Sequence, residues 1–80
     1  MTDPAKAVRE VRVGEVIEMY QDPETETKSA GYAFIWAILG EDDMFYELQV
    51  YFLSDPAAPG RKFTRKYRKY PARQEMSVTE

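Results

Sequence analysis

Hydrophobic and polar residues alternate along this chain with the two-residue period of β-strands, in four runs separated by turn residues. Val11 to Tyr20 is the first run, rich in β-branched side chains: Val11, Val13, Val16 and Ile17. Gly14 breaks its alternation and predicts a bulge or a sharp bend. Gln21 to Gly31 is polar, opens on Asp22-Pro23 and reads as a loop. Tyr32 to Leu39 is apolar on both faces, with Tyr32, Phe34, Trp36 and Ile38 on one and Ala33, Ile35, Ala37 and Leu39 on the other. That pattern predicts a central strand covered on both sides. The large aromatics Tyr32, Phe34 and Trp36 are then expected in the core, the competing reading being an exposed surface for stacking.

Gly40 to Asp43 is a turn. Phe45 to Leu53 is a half-buried strand, with Tyr46, Leu48, Val50 and Phe52 facing inward and Glu47, Gln49 and Tyr51 facing water. Ser54 to Gly60, with Asp55-Pro56 and Pro59-Gly60, is a second turn region. Lys62 to Tyr70 reads as a strand that places Phe63, Arg65, Tyr67 and Lys69 on one face and runs into a short helical turn before Pro71. Read as a helix, the same segment would align Phe63, Tyr67 and Tyr70. At the N-terminus, Asp3 as N-cap and Pro4 as first helical residue signal a single turn of helix, which is not stable alone. The organisation expected is a flexible or short-helix segment 1–10, a β-barrel domain 11–70 and a disordered tail 71–80. The fold class is all-β, a small barrel of four to five antiparallel strands.

Eighty residues form one domain. The chain has neither Cys nor His. It therefore lacks disulfides, zinc sites built on thiolate or imidazole, Ser-His or Cys-His nucleophile pairs and an imidazole base. Carboxylates, Lys and Tyr are the remaining candidates for catalysis, and the expectation is a protein that is not an enzyme, with no cofactor, no metal and no small-molecule substrate. The longest strongly apolar run, Ala33 to Leu39, is far short of the ~20 residues of a membrane span. The N-terminus shows no basic stretch followed by an apolar one, so the expected location is the cytoplasm, away from membranes.

Charge adds a second pattern. Arg61 to Arg73 carries seven of the eleven basic side chains and no acid, whereas residues 1–60 carry four Lys/Arg against twelve Asp/Glu. Phe63, Tyr67 and Tyr70 lie among the cations. Such a segment attracts phosphates and offers rings for bases to stack on. The candidate nucleic-acid-binding residues are thus Arg61, Lys62, Phe63, Arg65, Lys66, Tyr67, Arg68, Lys69 and Tyr70. The structural alternative is a charged edge strand that blocks sheet-to-sheet aggregation, or one that neutralises the acidic body. The acids Asp22, Glu24 and Glu26, and Glu41, Asp42 and Asp43, read as solvated turn residues, since neither group has the spacing of a calcium loop.

Two family resemblances follow from these residues. Val13-Gly14-Glu15-Val16, then Tyr20-Gln21-Asp22-Pro23-Glu24-Thr25, Gly31-Tyr32-Ala33, Tyr46-Glu47-Leu48 and Asp55-Pro56 before Arg61, resemble small bacterial and phage-encoded SH3-like barrels across residues 11–65. That resemblance implies a barrel and no particular activity. Gly31-Tyr32-Ala33-Phe34-Ile35, with Asp43-Met44-Phe45-Tyr46 downstream, looks like the aromatic motifs of cold-shock domains, with Tyr46 where that family has His. This second resemblance implies base stacking on an exposed sheet face. The function expected is a non-catalytic binding module for nucleic acid through 61–73. The alternative is a protein-interaction module or small inhibitor acting through the acidic body or a strand edge.

Overall fold

A computed structural model of the chain describes residues 8–72. It contains four strands, β1 (Val16–Asp22), β2 (Thr27–Glu41), β3 (Phe45–Phe52) and β4 (Phe63–Arg68). They form one antiparallel sheet in which the spatial order is the chain order. The sheet curls into a half-barrel, and the described residues are all-β. No helix among them is long and apolar enough to cross a membrane. The helical turn expected at Asp3 to Ala7 and residues 73–80 of the disordered tail expected at 71–80 lie outside the described residues; Ala72, within that expected tail, is buried.

The third strand and the Ser54–Gly60 turn occur where the pattern places them, whereas Gly40 and Glu41, expected in a turn, pair with Glu47 and Tyr46 as the end of β2, and the chain turns at 42–44. The first strand starts later, at Val16. Gly14 has φ +99°, and residues 12–15 form a turn in which the Glu15 N–H donates to the Arg12 carbonyl at 3.1 Å. The Glu15 carboxylate accepts the Arg12 N–H at 2.9 Å. Val11 and Val13 therefore precede the strand; Val11 still packs against the core.

The polar stretch 21–31 is a tight hairpin, not a loop. Asp22 pairs with Thr27, the Asp22 carbonyl accepts the Glu26 N–H at 2.9 Å, and Asp22 Oδ1 accepts the Glu24 N–H at 3.1 Å. Thr27, Lys28 and Ser29 are exposed. With no apolar face on this projecting end of β2, the sequence has no alternation from which a strand could be read.

A larger correction concerns the faces of β2. Ala33 and Ile35 are fully buried, whereas Tyr32 and Trp36 are 58% and 49% exposed. The first half of the small face is core; past the bulge at Trp36, Ala37 pairs with Gln49 and Leu39 is 51% exposed. A single curled sheet covers only its concave side, and Ala33 and Ile35 are the β2 residues that point into it. The core consists of Met19, Ala33, Ile35, Tyr46, Leu48 and Val50, with Val11, Ile17, Ala30, Phe52 and Tyr67 packed around it. The curl comes from bulges in β2. Ala30, Trp36 and Leu39 are each an extra residue, between the pairs Met19–Gly31 and Tyr20–Ser29, Ile35–Val50 and Ala37–Gln49, and Ile38–Leu48 and Gly40–Glu47. Each bulge bends and twists the strand.

One end of the half-barrel is held by a polar clamp. Glu26, expected in solvent, is buried. Its carboxylate accepts both terminal N–H groups of Arg9, at 2.7 and 3.0 Å, and the Ala72 backbone N–H at 3.0 Å. The Arg9 guanidinium lies 4.9 Å above the Tyr67 ring. The Arg9 N–H donates to the Lys69 carbonyl at 2.8 Å, and its carbonyl accepts the Tyr46 hydroxyl. The strap around Arg9, the β1–β2 hairpin and the exit of β4 thus meet at one carboxylate, and β3 joins them through the Arg9 carbonyl.

Candidate nucleic-acid interface

The bends that bury Ala33 and Ile35 turn their neighbours outward. Pairing aligns Val16, Phe34 and Tyr51 across β1, β2 and β3. Phe34 and Tyr51 stack with centroids 5.0 Å apart and planes 21° from parallel. Glu18 and Tyr32 form the next cross-strand pair. Trp36 sits in its bulge with the Lys62 ammonium 4.3 Å from the ring centroid. Gln49 and Thr64, then Glu47 and Lys66, continue the same face onto β4. Lys66 Nζ also lies 5.5 Å from the Phe45 ring. The convex face is therefore an aromatic platform, with Tyr32 and Trp36 open to solvent, bordered by cations on the β4 side and by Glu18 on the β1 side.

The basic segment is not an arm. It is the entry, body and exit of edge strand β4, and its members have separate roles. Arg61 is held by Asp55, Nη2 to Oδ1 at 2.7 Å and Nε to Oδ2 at 2.8 Å. Those hydrogen bonds, with the Ala57 N–H, keep the Asp55 carboxyl below its usual range. Phe63 packs on the concave side against Phe52, centroids 5.7 Å apart. Arg65 covers Phe63 and Phe52 at 5.0 and 5.8 Å and remains exposed. Lys66 is exposed too.

The last four residues of the predicted site are structural. Tyr67 packs on the core, and burial pushes its hydroxyl above the ordinary tyrosine value. Arg68 is buried, donating from Nε to the Tyr70 carbonyl at 2.8 Å and from Nη1 to the Glu24 carbonyl at 3.1 Å. Lys69 Nζ lies 3.5 Å from the Glu41 carboxylate and 5.2 Å from the Tyr46 ring. Tyr70 is half-buried. Of the predicted set, Lys62 and Lys66 thus lie on the platform side, whereas Arg65, paired with Leu48 and lying over Phe63 and Phe52, is on the concave side and Arg61 is held by Asp55.

The platform residues Tyr32, Phe34, Trp36 and Tyr51 were not among the predicted site. The legible signal was the wet side of β3, which placed Tyr51 outward; its partner in the ladder, Phe34, had to follow it. A shallow groove of about 310 Å³ beside the platform is lined by Glu41, Asp42, Phe45, Glu47 and Lys66. Asp42 holds the turn there, its Oδ1 accepting the Met44 and Phe45 N–H groups at 2.8 Å each. Those bonds keep its carboxyl below the usual range. Among the described residues no three acids are grouped to hold a metal ion. Compared with known proteins, the chain matches no family model, no curated sequence and no solved structure.

Proposed function

We propose that this protein is a non-catalytic binding module for single-stranded nucleic acid, and that the convex face of the sheet, with Tyr32, Phe34, Trp36 and Tyr51, is the contact surface. The observation that carries this reading is the solvent exposure of Tyr32 and Trp36 beside a lysine already seated on the indole. Every base has a π-face, so exposed rings bind single strands without reading sequence, and flanking cations hold the backbone. Lys62 and Lys66 supply that charge on the β4 side. The likeness to cold-shock domains belongs to this proposal, and the likeness to SH3-like barrels is a second description of the same curled sheet.

Titration of Trp36 fluorescence with short single-stranded and duplex oligonucleotides at low salt tests the proposal. Single strands are expected to quench the indole. Tyr32→Ala and Trp36→Ala should each weaken binding by about 1–3 kcal/mol, the value of one stacked base; for the Trp36 variant, binding is read by anisotropy of a labelled oligonucleotide. A protein that binds no single strand at tens of micromolar, or binds equally well without both rings, refutes the proposal and favours a protein partner.

A further inference from the structure

We infer that Glu18 gives the platform a base preference, its carboxylate accepting the Watson–Crick edge of a guanine stacked on Tyr32. This inference rests on the nucleic-acid reading above and adds to it the base that one position selects. Stacking alone reads no sequence; a carboxylate beside the ring does. Glu18 and Tyr32 are direct partners in the β1–β2 ladder, so their side chains stand on one face with Cβ atoms about 5 Å apart. Tyr32 is open to solvent and Glu18 is half-buried. Among the described residues no cation forms an ion pair with Glu18. The Tyr20 hydroxyl donates to its Oε1 at 3.3 Å, a long bond that leaves lone pairs on both oxygens. Glu18 also lines an open groove of about 480 Å³ with Tyr20, Thr27, Lys28 and Ser29, so the edge of a ligand has room beside it.

Charge across the face sets how a nucleotide lies on it. Lys62 and Lys66 border the platform on the β4 side and Glu18 borders it on the β1 side. A nucleotide is polar in the same sense, with phosphate at one end and the N–H donors of its base at the other. Phosphates therefore lie toward β4 and base edges toward β1. In a single strand those Watson–Crick edges are open to contact. An ionised carboxylate only accepts hydrogen bonds, through two oxygens. Guanine presents two adjacent donors on one edge, N1–H and the N2 amino group, and meets a carboxylate in two parallel bonds. Adenine and cytosine set one amino donor beside a ring-nitrogen acceptor. Thymine and uracil set one N–H between two carbonyl oxygens. Each of those edges turns a lone pair toward Glu18, and the carboxylate repels it.

Anisotropy of labelled hexathymidylates at low salt is the experiment, with one central thymine replaced in turn by guanine, adenine, cytosine or hypoxanthine. The guanine strand should bind about tenfold more tightly than the thymine, adenine and cytosine strands, within the range of a bidentate base contact. Hypoxanthine keeps N1–H but lacks the N2 amino group, and should lose most of that advantage. Glu18→Gln should reduce the guanine preference to less than about twofold, with the far-ultraviolet circular dichroism unchanged. A Glu18 that acts by repulsion alone would, once replaced, raise the affinity of every strand by one factor and leave the ratios intact; that result overturns the inference. So does equal affinity of the parent protein for all five strands, which leaves the stacking reading standing. Absence of binding to any strand refutes both.

Discussion

At the scale of single residues, Glu26 and Trp36 exchange the places that their chemistry suggests, an acid inside and an indole outside. Burial pushes the Glu26 carboxyl up, but the Arg9 hydrogen bonds, the Ala72 N–H and the charges of Arg9 and Arg68 outweigh it. Its pKa lies below the ordinary 4.5. A carboxylate with a depressed folded-state pKa contributes stability above its unfolded-state value and loses it as pH falls through the folded-state value. Glu26→Gln should cost about 2–4 kcal/mol at neutral pH. That is somewhat below a fully buried pair, because the Arg9 side chain is 24% exposed. In melting curves the gap between parent and Glu26→Gln should be constant from neutral pH down to about 5, then narrow as the parent's carboxyl protonates. A second contrast concerns volume. Leu48→Ala empties a fully buried site and should cost about 2–5 kcal/mol, whereas Trp36→Ala should cost about 1 kcal/mol. Urea midpoints of the two variants decide the order; a Trp36 loss as large as that of Leu48 would return the indole to the core.

At the scale of elements, β2 determines how the molecule is shaped. It pairs with both neighbours, and its bulges decide which side chains enter the curl. The bends need backbone conformations that only some residues adopt. Gly31, at the Ala30 bulge, has φ +100°, and Gly14, at the start of β1, has φ +99°. Gly14→Ala meets no atom within 4 Å of the new methyl group, so its cost is conformational, about 1–2 kcal/mol, and Gly31→Ala should cost the same. Gly40→Ala is the control. It too meets open space, without a left-handed backbone, and should change stability by less than about 0.5 kcal/mol. Chemical denaturation of the three variants separates conformational strain from steric fit.

On the scale of the whole molecule, the basic segment and acidic body are folded together instead of standing apart. Seven cations acting as an open arm would give a log–log salt slope for nucleic-acid affinity of about −3 to −6. Burial of Arg68, the pairing of Lys69 with Glu41 and of Arg61 with Asp55, and the concave position of Arg65 over Phe63 leave Lys62 and Lys66 beside the platform. At about −0.7 per neutralised phosphate, those two predict a slope of roughly −1.4 on single strands. Lys62→Gln and Lys66→Gln together should bring it close to zero. A slope that stays steep in the double variant would move the binding surface elsewhere.

The alternation of residues was enough to determine that this chain is all-β, with four to five antiparallel strands expected and four found. It also determined that Tyr46, Leu48, Val50 and Phe52 face inward, because one wet side on β3 admits a single reading of its period. Gly14 as a bend was legible as well, since only that residue interrupts a β-branched run. Three things were decided by tertiary structure. A strand apolar on both faces carries no signal for which face is core; the direction in which the sheet curls made the choice. Glu26 is a turn acid in every local respect, and its burial depends on Arg9, seventeen positions away, and Ala72, forty-six away. The cations of Arg61 to Lys69 look equivalent along the chain, yet alternation across β4 and the position of acids brought from β2 and the Asp55 turn gave each a different partner. Local periodicity is set by neighbours in sequence, whereas face, burial and pairing of charge are set by what the fold brings across from elsewhere.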